Sequence, residues 1–237
     1  MDIVGSLSIV ALAALIHASF QLSVSVLTIL SGHAIGAKKS QARVMRLTSS
    51  YVAGAALMTI LLLAFAAYLS ISGFGTHIPL LAWSVGAGIL FGIGISVWLF
   101  YYRKGQGTTL WIPRSIATYL SDRTKATKNS GEAFALGLMS VISEIVFIIG
   151  PLVISGFVLI QLSPIWQLAG IGIYTVISLL PLVIVWVLVG SGHALSRIQK
   201  WRETNKYFIQ FAAGSGLIIL GFYVYVTQVV ASAAGAM

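Results

Sequence analysis

AFALGLMSVISEIVFIIGPLVISGFVLI, residues 133–160, decides the fold: it is a long, continuously apolar run interrupted by a single ionisable side chain, Glu144. A helix crossing a bilayer needs about 20 mostly apolar residues, and this run meets that length with some to spare. Its apolar residues are contiguous and do not alternate, which favours a helix over a barrel strand. The rest of the chain agrees. Of 237 residues, 58% are hydrophobic and 8% charged, and the mean hydropathy is +0.99. A soluble domain carries about a quarter charged residues, so this much apolar surface cannot be hidden in a core of that size.

Working outward, five further stretches pass the same test: about 3–30, 48–72, 80–102, 165–190 and 207–231. The first is too long for a signal-peptide core and lacks a basic flank, so it is expected to be a retained helix. The expected fold class is therefore an all-α polytopic membrane protein with six transmembrane helices. The fourteen basic residues supply its orientation. Lys38, Lys39, Arg43 and Arg46 follow span one. Arg103, Lys104, Arg114, Arg123, Lys125 and Lys128 follow span three, and Arg197, Lys200, Arg202 and Lys206 follow span five. The loops at 73–79 and 161–164 and both tails contain no Lys or Arg. Positive residues stay cytoplasmic, which predicts N-out/C-out topology, with both termini extracytoplasmic, in a cell membrane of the bacterial inner-membrane kind. The net charge of +9 is then topogenic. It implies contact with anionic lipid headgroups at the cytoplasmic face and no nucleic-acid partner. Homo-oligomerisation is left open.

Three spans precede the longest basic loop and three follow it, so the halves run in opposite senses. The expected organisation is a first three-helix half at 1–102, a basic cytoplasmic linker at 103–132, and a second half at 133–237. Inverted repeats are a common plan among secondary transporters. Within the linker, Trp111, Ile112, Ile116, Tyr119 and Leu120 recur at helical spacing, which suits a short helix in the membrane interface. Span three reads Trp83-Ser84-Val85-Gly86-Ala87-Gly88 and span six Phe211-Ala212-Ala213-Gly214-Ser215-Gly216. This is one aromatic-x-x-Gly-small-Gly pattern repeated after 128 residues. Glycines here allow close helix approach.

Function is sought among the polar groups inside the spans. Glu144 lies about 12 residues into span four, roughly 18 Å deep at 1.5 Å per residue. An acid at such depth costs at least about 2.5 kcal/mol on insertion scales, so it marks a candidate proton-binding site. Ser140 is one turn earlier on its face and Ser143 is adjacent. Pro151 follows in span four and Pro181 in span five, the latter with Thr175 and Ser178. Each proline removes one helix hydrogen bond, and both are expected to break or gate their helices. In span one, His17, Gln21, Ser25 and Thr28 share one helix face, with His17 again near mid-depth. An imidazole titrates near neutral pH, so a His17–Glu144 pair would be suited to relaying protons.

Six spans, outside termini, two inverted halves and glycine-rich third and sixth helices resemble the LysE/DsbD-type superfamily of six-helix membrane proteins. That group holds exporters of amino acids and metal ions, together with membrane electron carriers of thiol–disulfide exchange. The electron carriers bear Cys-Pro-type sites in spans one and four. This chain has no cysteine, which excludes that activity, so the resemblance implies a transporter.

The expected function is a transporter, proton-coupled, that exports or exchanges a small polar solute or ion through a midplane site between the halves. Its candidate site is Glu144, His17, Gln21, Ser140 and Ser143. The alternative is a non-catalytic membrane scaffold or accessory subunit. No His-Glu-x-x-His motif or Ser–His dyad is apparent, so neither an enzyme nor a cofactor or metal is expected.

Overall fold

A computed structural model describes residues 2–20, 22–36, 40–101, 114–191 and 195–234. Among them there are helices and turns and no strand. The helices are α1 (Ile3–Ser19), α2 (Leu22–Gly36), α3 (Gln41–Phe74), α4 (Leu80–Ser96), α5 (Arg114–Ala126), α6 (Ser130–Ser143), α7 (Ile145–Leu159), α8 (Pro164–Gly190), α9 (Leu195–Val224) and a last turn, α10 (Ala231–Ala234). Both α4 and α9 continue into π-helical segments, Val97–Tyr101 and Tyr225–Val230. These begin 128 positions apart, the same offset as the glycine pattern.

Four helical stretches are long and apolar enough to cross a membrane: Gln41–Phe74, Leu80–Phe100, Pro164–Gly190 and Tyr207–Val230. Two bent pairs bring the total to six if each is one span. Ile3–Ser19 with Val24–Gly32 bends by 44°, and Ser130–Ser143 with Ile145–Leu159 by 79°. Large apolar side chains point outward, among them Leu81, Ile165, Leu168 and Phe208. Several polar ones point inward, including His17, Thr59, Ser140 and Glu144. That distribution is consistent with a multi-pass protein whose solvent is lipid. All backbone groups must be satisfied internally there, and helices achieve this within one segment.

The breaks do not fall where the prolines stand. Pro151 lies inside α7 and Pro181 inside α8, and both helices run through them. A proline deletes one bond of the ladder and bends the helix, and the rest of the ladder continues on either side of it. The sharp turn is at Glu144, whose φ of −87° and ψ of −4° end α6. Its N–H closes on the Val141 carbonyl at 3.1 Å, and its own carbonyl accepts from Phe147 at 2.9 Å to start α7. Non-helical backbone at membrane depth is tolerated where protein surrounds it, and Glu144 is only 3% exposed. In the other pair, α1 ends similarly, the Phe20 N–H closing on the His17 carbonyl at 3.1 Å.

Packing exchanges partners between the halves. The first arm of each bent pair lies against the long helix that follows the other pair: α6 on α3, and α1 on α8. α4 packs on α9. Glycines set two of these approaches. A Cβ on Gly54 would collide with the Phe134 carbonyl oxygen, and one on Gly137 with that of Tyr51, so α3 and α6 touch backbone to backbone. A Cβ on Gly94 would lie 3.0 Å from the Gly214 carbonyl oxygen, and α4 meets α9 there. Gly88 and Gly92 of the same run face open space.

α5 is the linker helix. Its residues 111–113 neighbour lies outside the described part, so only the Ile116–Leu120 portion of the expected pattern falls on it. Leu120 and Thr124 are buried, while Tyr119, Asp122, Arg123 and Lys125 are exposed. α6 then starts with a reciprocal cap. Asn129 Oδ1 accepts from the Glu132 N–H at 2.9 Å, and Glu132 accepts from the Lys128 N–H at 2.7 Å and from Asn129 Nδ2 at 2.9 Å.

Candidate functional site

The two bends bring an imidazole and a carboxylate together. His17 is two residues before the end of α1 and Glu144 occupies the α6–α7 turn. His17 Nε2 lies 3.8 Å from Glu144 Oε2. Both residues are buried. Three positions further on, Phe20 and Phe147 stack on each other with ring centroids 5.2 Å apart and planes 20° from parallel. The two first helices therefore meet through two matched pairs: His17-x-x-Phe20 against Glu144-x-x-Phe147.

α8 contributes the third polar group. Tyr174 is fully buried, and its hydroxyl lies 3.1 Å from His17 Nδ1. A neutral imidazole has one donor and one acceptor nitrogen. When the phenol donates to Nδ1, the ring proton sits on Nε2 and faces the Glu144 carboxylate. The order along the chain is then phenol, imidazole, carboxylate. Each is a group that can give or take a proton.

A cavity of about 20 Å³ adjoins this pair, lined among others by His17, Thr59, Glu144, Ser178 and Pro181. Its size suits one water. The 3.8 Å gap exceeds a direct hydrogen bond and could be closed by a small movement or a bridging water. The Thr59 hydroxyl donates to the Ala55 carbonyl at 2.9 Å and that of Ser178 to the Thr175 carbonyl at 3.2 Å. With those protons engaged, the lone pairs of both oxygens are what they can offer a guest.

Of the residues expected from sequence, His17, Glu144 and Pro181 come together at this cavity. Ser140 and Ser143 do not line it. Their hydroxyls donate to the carbonyls of Gly137 and Met139, both at 2.8 Å, the usual fate of serine inside a helix. Pro151 does not line it either. Gln21 lies outside the described residues. Thr28, on the same face of span one, is buried and donates to the Val24 carbonyl at 2.7 Å. Sequence reading passed over Tyr174 and Thr59. Tyr174 had a signal, since Tyr174, Ser178 and Pro181 follow i, i+4, i+7 spacing and so share a face of α8. Thr59 is one of several hydroxyl residues in α3 and had none. Among the described residues, no group of three or more His, Asp or Glu side chains is placed to hold a metal ion. No protein-family model, curated protein or solved structure matches the chain.

Proposed function

We propose that this chain is a transporter, crossing the membrane six times as two inverted three-helix halves with both termini outside, that couples proton movement to export or exchange of a small polar solute or ion. The likeness to the LysE/DsbD-type superfamily belongs to the same proposal. One observation carries it: a buried histidine and a buried glutamate, each at the bend of a broken helix, face each other at 3.8 Å. Ionisable side chains inside a membrane protein are costly to retain and mark proton or substrate paths. Broken helices at the interface of two repeats are where secondary transporters hold their cargo.

Support also comes from the packing. Exchange of α1 with α6 and of α8 with α3 is what a two-fold relation between halves requires, and the α1–α8 and α6–α3 contacts obey it. In this reading Glu144 is the proton carrier, His17 its partner, and Tyr174 the group that orients His17. The cavity beside them, of about 20 Å³, has room for one water and not for a solute. Passage would need the two bent pairs to part on one side and then the other.

The test is transport in proteoliposomes with Glu144→Gln, a near-isosteric change that removes the titratable proton. The reading expects uphill, proton-driven uptake to vanish while the folded protein remains monodisperse. Full proton-driven flux in that variant would overturn the assignment of Glu144. Absence of flux for any amino acid, cation or small organic ion with wild-type protein would favour a scaffold role instead.

A further inference from the structure

A second cavity, of about 360 Å³, lies between α5 and the first turns of α6 and shares no lining residue with the cavity beside Glu144. Its volume falls within the range of small-molecule sites. Two of its lining residues carry opposite charges, Arg123 on α5 and Glu132 on α6. They are not in direct ion-pair contact, so the space between them can admit a guest. Glu132 is held by the cap at the start of α6, where its two oxygens accept from the Lys128 N–H and from Asn129 Nδ2. A carboxylate has about four lone-pair sites, so it retains acceptor capacity toward the cavity. The rest of the wall is mixed: Tyr119 and Thr127 add hydroxyls on the α5 side, and Ala135, Leu136 and Met139 form an apolar side on α6.

This apolar wall leads away along α6. Ala135, Met139 and Ile142 are exposed, at i, i+4 and i+7 spacing, and so form one outward stripe running from the cavity toward the bend at Glu144. A guest filling the site therefore has an anionic group for Arg123, a cationic hydrogen-bond donor for Glu132, and a long apolar tail. A zwitterionic phospholipid with a primary ammonium has all three. The start of α6 is the end of a membrane span, the depth at which phospholipid headgroups lie.

We propose that the α5–α6 cavity is a binding site for a phosphoethanolamine-type phospholipid, its phosphate on the Arg123 guanidinium, its ammonium on the Glu132 carboxylate and one acyl chain along the Ala135–Met139 stripe. The primary ammonium is the discriminating feature. A phosphocholine headgroup has the same charges and no N–H donor, and a phosphoglycerol headgroup has the phosphate without the cation. By holding α5 to α6, the lipid would brace the first arm of the bent helix that ends at Glu144. The site rests on the six-span reading for its depth in the membrane and does not depend on what the chain transports.

The experiment is lipid binding by native mass spectrometry and thermal shift on the delipidated full chain, titrated with phosphatidylethanolamine, phosphatidylcholine and phosphatidylglycerol of equal acyl length. Soluble phosphoethanolamine is the fourth ligand. Phosphatidylethanolamine is expected to bind about tenfold more tightly than either other lipid, the size of one charge-assisted hydrogen bond, with the tail-less headgroup far weaker. Glu132→Gln preserves a capping side chain and should erase the preference for the primary ammonium over choline. Arg123→Gln should weaken all three lipids, and Lys125→Gln, an exposed charge on the same helix that does not line the cavity, should weaken none. Ala135→Phe, which fills the apolar wall without altering charge, should abolish lipid binding in a protein that still folds. Equal affinity for the three lipids, or equal losses in Arg123→Gln and Lys125→Gln, would show diffuse surface attraction and overturn the site. Binding of soluble phosphoethanolamine as tight as that of the lipid would also overturn it, since the apolar stripe would then contribute nothing.

Discussion

His17 Nε2 and Glu144 Oε2 lie 3.8 Å apart, although the two residues are separated by most of the first half of the chain and the linker. Each stands at the bend of a broken helix, three residues before a phenylalanine that stacks on its counterpart. The chain thus places a buried acid against a buried imidazole, at the junction of α1, α2, α6 and α7.

If the two side chains act as one unit, their substitutions are not additive. Transport by His17→Gln, by Glu144→Gln and by the double variant should fall to a similar level. A double variant whose loss equals the sum of the two single losses, measured as log rates, would mean that the residues act separately.

Tyr174→Phe removes the hydroxyl that lies 3.1 Å from His17 Nδ1 and leaves the ring's packing in place. The lost hydrogen bond should cost about 1 kcal/mol of stability. The reading expects in addition that the transport rate changes its dependence on pH, because the tautomer and basicity of His17 are altered. A lower melting temperature with an unchanged pH profile would make Tyr174 a packing residue only.

The glycine contacts give a stability test with an internal control. Gly54→Ala and Gly137→Ala each drive a methyl group into a facing carbonyl oxygen across the α3–α6 contact, and overpacking of this kind costs typically about 1–3 kcal/mol. Gly88→Ala meets open space and should be neutral or mildly stabilising through its helix propensity. Thermal unfolding in detergent separates the two classes. Equal melting temperatures for Gly137→Ala and Gly88→Ala would contradict the close crossing.

Orientation can be read directly because the chain has no cysteine. Single variants Thr76→Cys, in the loop after α3, and Lys125→Cys, on α5, both place a thiol at an exposed position. An impermeant maleimide added to intact cells should label Thr76→Cys, and should reach Lys125→Cys only after the membrane is opened. The opposite pattern would invert the proposed topology.

The apolar runs made the helices legible, since a 20-residue stretch without charge has few other stable forms in lipid. The sharp bend in the fourth run was less legible. Proline is the visible sign of a broken helix, yet Pro151 sits within α7 and the turn forms at Glu144, whose N–H and carbonyl are both hydrogen-bonded within a buried turn. Glu144 and His17 could be found because a charged or titratable group stands out in an apolar run. Ser140 and Ser143 looked equally polar, but a helical serine can satisfy itself on its own carbonyls, and both do. Tyr174 reaches His17 across 157 positions of sequence, a relation that only tertiary packing creates. The cap formed by Asn129 and Glu132 was local and readable, whereas the cavity that Glu132 shares with Arg123 depends on how α5 folds back onto α6.

The most direct measurement is proton movement in proteoliposomes loaded with a trapped pH dye, comparing wild type with Glu144→Gln during challenge by amino acids, divalent cations and small organic ions. The account predicts a solute-dependent change of internal pH with wild-type protein that disappears in the variant. Silence across the whole panel from folded wild-type protein, or an identical signal from Glu144→Gln, would contradict it.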